Sequence, residues 1–203
     1  MTRYLSEVLT PKNRVEGEIS YPPDAKEYRR TVFTDANVKG SEDFYRTSDH
    51  RIINAIALLV EKEGPIHKNV VKRRLANVFK VRLGRQIDNR LGILILRASG
   101  LGYVKMIGDF LWSPKKQNIE IRIQQGSNKR SIGEIPPQEI DLALTKSVRN
   151  SISVTEEDLI KEVARLFGFR ATKNVQYTIS LRIKSLLNKE KLSRIRGKIE
   201  EDK

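Results

Sequence analysis

Cysteine is absent from all 203 residues. That excludes disulfides, thiolate zinc sites and cysteine nucleophiles within the chain, and it agrees with a reducing compartment. Long apolar runs are missing too. The longest are short, such as GILIL at 92–96, so no membrane span is expected. The opening MTRYLSEVLTPKNRVEGE contains acids and has no apolar signal-peptide core, which makes a cytoplasmic protein the expectation. Histidine is scarce: His50 and His67 stand seventeen residues apart, and Asp49, Glu61 and Glu63 nearby form no metal-ligand spacing. A turn position gives His67 a capping or packing role rather than a catalytic one. The phosphate-loop pattern G-x-x-x-x-G-K-[ST] does not occur, and the glycines of RLGRQIDNRLGI lie inside a helical pattern with no leading strand. Glu61-Lys62-Glu63 and Glu190-Lys191 approach a nuclease acid-x-Lys pattern but lack the upstream strand acid. No catalytic residue, no metal and no cofactor are therefore expected, and the chain does not read as an enzyme.

Positive charge is what the chain has in excess. Lys and Arg total 39 against 25 Asp and Glu, a formal +14, with a pI near 10. Such a balance favours an anionic partner, nucleic acid first, although a ribosomal or membrane-surface partner fits the same number. The charge is unevenly spread. Residues 1–48 balance eight basic with eight acidic and read as an extended arm or the tail of a preceding region. Within them YPPD at 21–24 stops any helix, TVF at 31–33 suggests a short strand, and VKGSEDFYRTSD reads as a loop. Residues 49–116 hold fourteen basic against five acidic, a net of +9. Residues 117–135 read as a linker with one alternating stretch, IEIRI at 119–123, of strand period. Residues 136–203 hold fourteen basic and ten acidic, a net of +4.

The two charged units repeat one another. Sliding the chain by 88 places Ile52 on Ile140, Ala55 on Ala143, Ile66 on Val154, Val71 on Leu159 and Ala76 on Ala164. Phe79, Arg82, Ile87, Leu91 and Ile95 then fall on Phe167, Arg170, Val175, Ile179 and Ile183. A shared apolar skeleton with divergent polar residues points to one small fold used twice. In the first unit, Asp49 reads as the cap of a helix over about 52–61, with Ile52, Ile53, Ile56, Leu59 and Val60 inward. Glu63-Gly64-Pro65 ends it, Ile66 offers a strand bridge, and helices follow over about 68–79 and 85–98. YVKMIGDFLW at 103–112 reads as a hairpin turning at Gly108-Asp109, with Trp112 at the core or wing base. In the second unit, Pro136-Pro137 opens a helix to about Asn150, and Thr155 with Asp158 marks the next helix start. Helices then run to Phe167 and over about 174–188, and KLSRIRGKI at 191–199 gives a poorer hairpin. The fold class is mainly α with small β wings: tandem winged helix-turn-helix modules.

Certain stretches add a resemblance. The Gly64-Pro65-Ile66-His67 turn, KRRLANVF, RLGRQI, GDFLW, IPPQEI and LIKEVARLFGF together resemble a C-terminal region of large bacterial superfamily 1 DNA/RNA helicase-like proteins of poorly defined function. It spans about residues 50–187 and is most specific over Gly108–Trp112 and Leu159–Phe169. It implies a helicase or nuclease domain in cis or in trans, and a chain that is a fragment or a freestanding relative. Lys80 stands where Gly168 ends the corresponding helix of the second unit, which raises the question of how tight the first turn is.

A winged helix places its third helix in the major groove and its wing on the backbone. That assigns base-edge and groove contacts to Arg82, Arg85, Gln86, Asn89 and Arg90, and phosphates to Lys72, Arg73, Arg74 and Lys105. In the second unit the corresponding residues are Arg170, Thr172, Lys173, Asn174, Gln176 and Tyr177, with Arg194, Arg196 and Lys198 on the wing. Tyr45 and Tyr103 are weaker stacking candidates. The expectation is a non-catalytic module for duplex or forked DNA, with RNA chemically equivalent at this level. The alternative is a protein-interaction adaptor, favoured more by the acidic second unit.

Overall fold

The computed structural model describes residues 25–31, 41–115, 118–124, 129–151 and 153–202. The protein is mostly helical with small sheets. A short strand β1 (Lys26–Glu27) precedes helix α1 (Ser41–Arg46). The first unit then runs α2 (Asp49–Glu63), β2 (Ile66–His67), α3 (Lys68–Val78), α4 (Arg85–Gly100), β3 (Lys105–Ile107) and β4 (Phe110–Trp112). Strand β5 (Arg122–Ile123) and a 3-10 turn at Ile132–Glu134 lead to the second unit. There α5 (Pro137–Arg149), β6 (Val154–Thr155), α6 (Glu156–Leu166), α7 (Lys173–Asn188), β7 (Leu192–Ile195) and β8 (Lys198–Glu201) follow.

The offset of 88 holds in backbone detail. Strand β2, α3 and α4 each reappear at +88 as β6, α6 and α7 with unchanged lengths. The sheets have the same antiparallel order, β2-β4-β3 and β6-β8-β7. Their registers match as well: Ile66 faces Leu111 where Val154 faces Ile199, and Ile107 faces Phe110 where Ile195 faces Lys198. Each unit has its own core. Ile52, Ile56, Leu59, Val71, Leu75, Leu91 and Leu94 centre the first, while Ile140, Leu144, Leu159, Val163, Ile179 and Ile183 centre the second. These are the inward positions of 3.6-residue periodicity, so the apolar skeleton of the repeat is the packing skeleton.

Helix ends explain the loops. Ser48, not Asp49, occupies the N-cap of α2, and it makes no side-chain cap bond. Asp49 is the first helical residue, where its carboxylate complements the helix dipole and accepts from Arg90 and Arg97. His67 caps α3 by accepting at Nδ1 from the Asn69 amide at 3.1 Å, and Thr155 caps α6 from the corresponding place. The turn after α3 is as tight as its counterpart. Lys80 takes φ +51° where Gly168 takes +73°. Val81 donates to the Ala76 carbonyl as Phe169 does to that of Ala164. Hairpin β7–β8 has longer strands than β3–β4, so the expectation of a poorer second hairpin is corrected. Its turn residues Arg196 and Gly197 both have positive φ, the type I′ pattern that matches strand twist.

The stretch VKGSEDFYRTSD, expected as a loop, contains α1. Six residues cannot hold a helix alone. Phe44 buries completely and meets Phe79 edge to face at 5.2 Å, while Arg90 donates to the carbonyls of Phe44 and Thr47. Tertiary contacts therefore make this helix. Of the TVF strand, Thr31 is not in a strand and the rest lies outside the described residues, as does YPPD.

The residues between the units are built into the structure. Strand β5 pairs in parallel with β1, and Ile121 and Ile123 belong to the second core. Arg122 donates to the Glu63 and Pro65 carbonyls of the first unit at 2.6 and 2.9 Å, and to the Glu139 carboxylate of α5 at 2.7 Å. Arg130 closes on both Glu139 oxygens at 3.0 and 2.9 Å. The Tyr28 ring lies 4.4 Å from the Arg130 guanidinium, and its hydroxyl donates to Glu63, which also pairs with Arg74. Burial is the largest influence on Glu139 and pushes its pKa up, but Arg122 and Arg130 outweigh it and hold the carboxylate below its ordinary range. Burial foremost, then Glu63, pushes the Tyr28 hydroxyl up to about 12, so it stays a neutral donor. Buried charges persist only when paired in this way. The network ties β1, the first unit and α5 into one arrangement.

Candidate functional site

Helix α4 starts from Gly84 and presents Arg85, Gln86 and Asn89 on its exposed side, as their spacing predicts. Arg90 stands at the edge of that side, about 140° from Arg85 but about 40° from Gln86, where it faces α1 and is partly buried. It stacks on Phe44 at 4.9 Å and donates to the Phe44 and Thr47 carbonyls and to Asp49. Lys72 is also mostly covered, lying against α4 and pairing with Asp88 at 2.9 Å. Arg74 is held by Glu63 and the Thr31 carbonyl, and Arg73 pairs with Glu134 while staying half exposed. Arg82, in the turn before α4, and Lys105, on β3, are exposed and without ion pairs among the described residues.

Ion pairing accounts for the acids of the first unit. Asp49 serves Arg90 and Arg97, Glu61 serves Lys115, Glu63 serves Arg74, Asp88 serves Lys72 and Asp109 serves Lys68. Lys68 holds the Asp109 carboxylate below its ordinary range. These are all five acids of residues 49–116. Among the described residues, Lys62, Lys80, Arg82, Arg85 and Lys105 have no ion pair, and all but Lys62 lie at the surface near the start of α4 or on the hairpin.

The second unit differs in polarity. Arg170, Thr172, Lys173, Asn174, Gln176 and Tyr177 are all exposed around the start of α7. Arg196 and Lys198 are exposed at the turn of β7–β8, while Arg194 pairs with Glu156. Asp158, Glu162 and Glu190 have no ion pair among the described residues, so its surface is less positive.

Apolar residues on the same helix faces were missed from sequence. Ile93 and Leu96 of α4 are 60% and 63% exposed. Their signal was present, because Ile87, Leu91, Leu94, Ile95 and Ala98 fill the inward positions and leave 93 and 96 outside. Leu181 of α7 stands at the place of Ile93, and Ile195 at that of Ile107, and all four are exposed. Trp112 is buried on β4, and Tyr45 and Tyr103 are exposed. Among the described residues no three His, Asp or Glu lie close enough to hold a metal ion, and no helix is long and apolar enough to cross a membrane.

Residues 42–89, from within α1 to the first turns of α4, match the model of a family described as a protein of unknown function (DUF3320). No curated protein and no solved structure matches the chain.

Proposed function

We propose that the chain is a non-catalytic nucleic-acid-binding protein made of two winged-helix modules. It would seat duplex or forked DNA for a helicase or nuclease domain on the same or a partner polypeptide. The winged-helix reading draws support from the order helix, strand, helix, helix, hairpin, with the single strand pairing on the hairpin's second strand in both units. The observation that carries the nucleic-acid reading is the pairing of every acid in residues 49–116, which leaves Arg82, Arg85 and Lys105 uncompensated around the amides Gln86 and Asn89. Unpaired cations supply phosphate affinity, and Arg, Gln and Asn have the donors and acceptors that base edges present. The match over residues 42–89 falls within or beside the stretch that resembles helicase-like proteins, which is why a motor partner belongs to the proposal.

The test is anisotropy of labelled duplex DNA, forked DNA and double-stranded RNA across a salt series, with the triple variant R85A/N89A/K105A. Arg90 is left intact because its removal would unseat α1. The variant is expected to bind duplex DNA at least tenfold more weakly, with a salt slope reduced by about 0.9 per lost phosphate contact. Unchanged affinity and slope would sink the reading. A second reading, a protein-docking adaptor, has the exposure of Ile93 and Leu96 in its favour. It requires that the wild-type chain show no salt-dependent binding to any of the three nucleic acids.

A further inference from the structure

A cleft of about 270 Å³ opens beside α3 and the turn into α4, and four arginines line it: Arg30, Arg73, Arg74 and Arg82. They come from three separated stretches, and Arg30 arrives only because the segment after β1 packs here. Asn77 adds an amide, and Val81 is among the apolar residues of the wall. Among the described residues no acid lines the cleft. Its carboxylates stand behind the arginines: Glu63 is buried under Arg74, and Glu134 is mostly covered under Arg73. Such backing orients two guanidinium forks before any ligand arrives. Arg30 is steadied by the Lys129 carbonyl at 2.9 Å, and Arg82 has no side-chain partner among the described residues. Four cations against two carboxylates leave about two positive charges, which matches a phosphate group of about −1.5 to −2 at pH 7. Planar forks suit phosphate oxygens bidentately.

The repeat provides a control for this site. At +88, Arg73 becomes Lys161, which is paired with Glu157, Arg74 becomes Glu162, and Val70 becomes Asp158. Asn77 and Arg82 become the exposed Arg165 and Arg170, so the same scaffold carries a surface of mixed charge there, and a cleft lined by arginines without acids is particular to the first unit.

We propose that this cleft is a phosphate-group site of the first unit. Its carrier is either a nucleic-acid backbone or a free phosphate compound. Only the first carrier rests on the function proposed above; the site itself does not. Calorimetric titration of the full chain with sodium pyrophosphate tests it, alongside R30A/R82A and the α4 variant R85A/N89A. Saturable one-to-one binding is expected for the wild type and for R85A/N89A, with at least tenfold weakening in R30A/R82A. Both altered side chains of that variant are exposed, and an unchanged melting temperature verifies its fold. R82K, which keeps charge and loses the fork, is expected to fall between. No saturable pyrophosphate binding, or equal binding by R30A/R82A, overturns the site. Duplex DNA then separates the carriers. Weaker duplex binding by R30A/R82A, with pyrophosphate competing, supports a backbone phosphate. Duplex affinity unchanged in a variant that has lost pyrophosphate supports a free phosphate compound. Failure of the α4 variant to alter DNA binding leaves the pyrophosphate result standing.

Discussion

Lys80, Glu190 and Arg196 hold positive φ values of 51°, 53° and 50°, and in the other unit their places are taken by Gly168, Gly102 and Gly108. Each left-handed position is thus glycine in one unit and a charged residue in the other. The conformation costs a side-chain residue about 1–2 kcal/mol, part of which glycine returns as unfolded-state entropy. Lys80→Gly is accordingly expected to stabilise the protein by about 0.5–1 kcal/mol, read as a raised denaturation midpoint. His67 offers a second residue-scale outcome. Burial foremost lowers its pKa below 6.5, with Lys68 and Arg73 acting the same way against Asp109 and Glu134. Its cap on Asn69 needs an unprotonated Nδ1. A lowered folded pKa means that its stabilisation is complete above 6.5 and is lost as pH falls through the folded value. His67→Thr, copying Thr155, should keep the cap and flatten that pH dependence. Melting temperatures of both proteins between pH 7.5 and 5 measure the difference, about 1 kcal/mol for a lost cap.

At the scale of elements, the link between the units depends on Glu139. Its carboxylate is fully buried and accepts from both Arg122 and Arg130, one of which also holds the end of α2. Glu139→Ala leaves two buried guanidinium groups without their partner, and a loss of about 3–5 kcal/mol is expected in denaturant unfolding. Proteolysis between the units should quicken at the same time. Little of this element was legible beforehand. PPQE announced a helix start, and Glu139 fits first-turn electrostatics, yet nothing local says that its carboxylate turns inward. Arg122 and Arg130 read as linker residues because their partners lie up to 59 residues away. The α2, α3 and α4 cores were legible, since burial follows a helical period that is written locally.

For the whole molecule, charge is the property with the longest reach. A net of +14 is long-ranged, so on the proposed function duplex binding is expected to weaken steeply between 50 and 200 mM salt, by about a thousandfold if six phosphates are neutralised. The first unit should account for most of it, because its net charge is +9 against +4 and all its acids are ion-paired, whereas Asp158, Glu162 and Glu190 of the second unit have no ion pair among the described residues. Charge reversal at Arg85 should therefore cost more affinity than the same change at Lys173, its counterpart at +88, when both are compared by anisotropy at fixed salt.

Composition, periodicity and the 88-residue echo were sufficient for helices α2 to α7, the hairpins and their duplication, but not for α1. Each depends on neighbours within a few residues, and a repeated apolar skeleton cannot be read any other way without breaking its period. What only the tertiary structure decided is which charges remain available. Lys72 and Arg90 look identical in sequence to Arg82 and Arg85, but long-range packing commits the first two to acids and carbonyls and leaves the others exposed. The same packing brings Arg30 across more than forty residues to complete the cleft beside Arg73, Arg74 and Arg82. Pairing of charges depends on distances in space, and those exist only once the chain has folded.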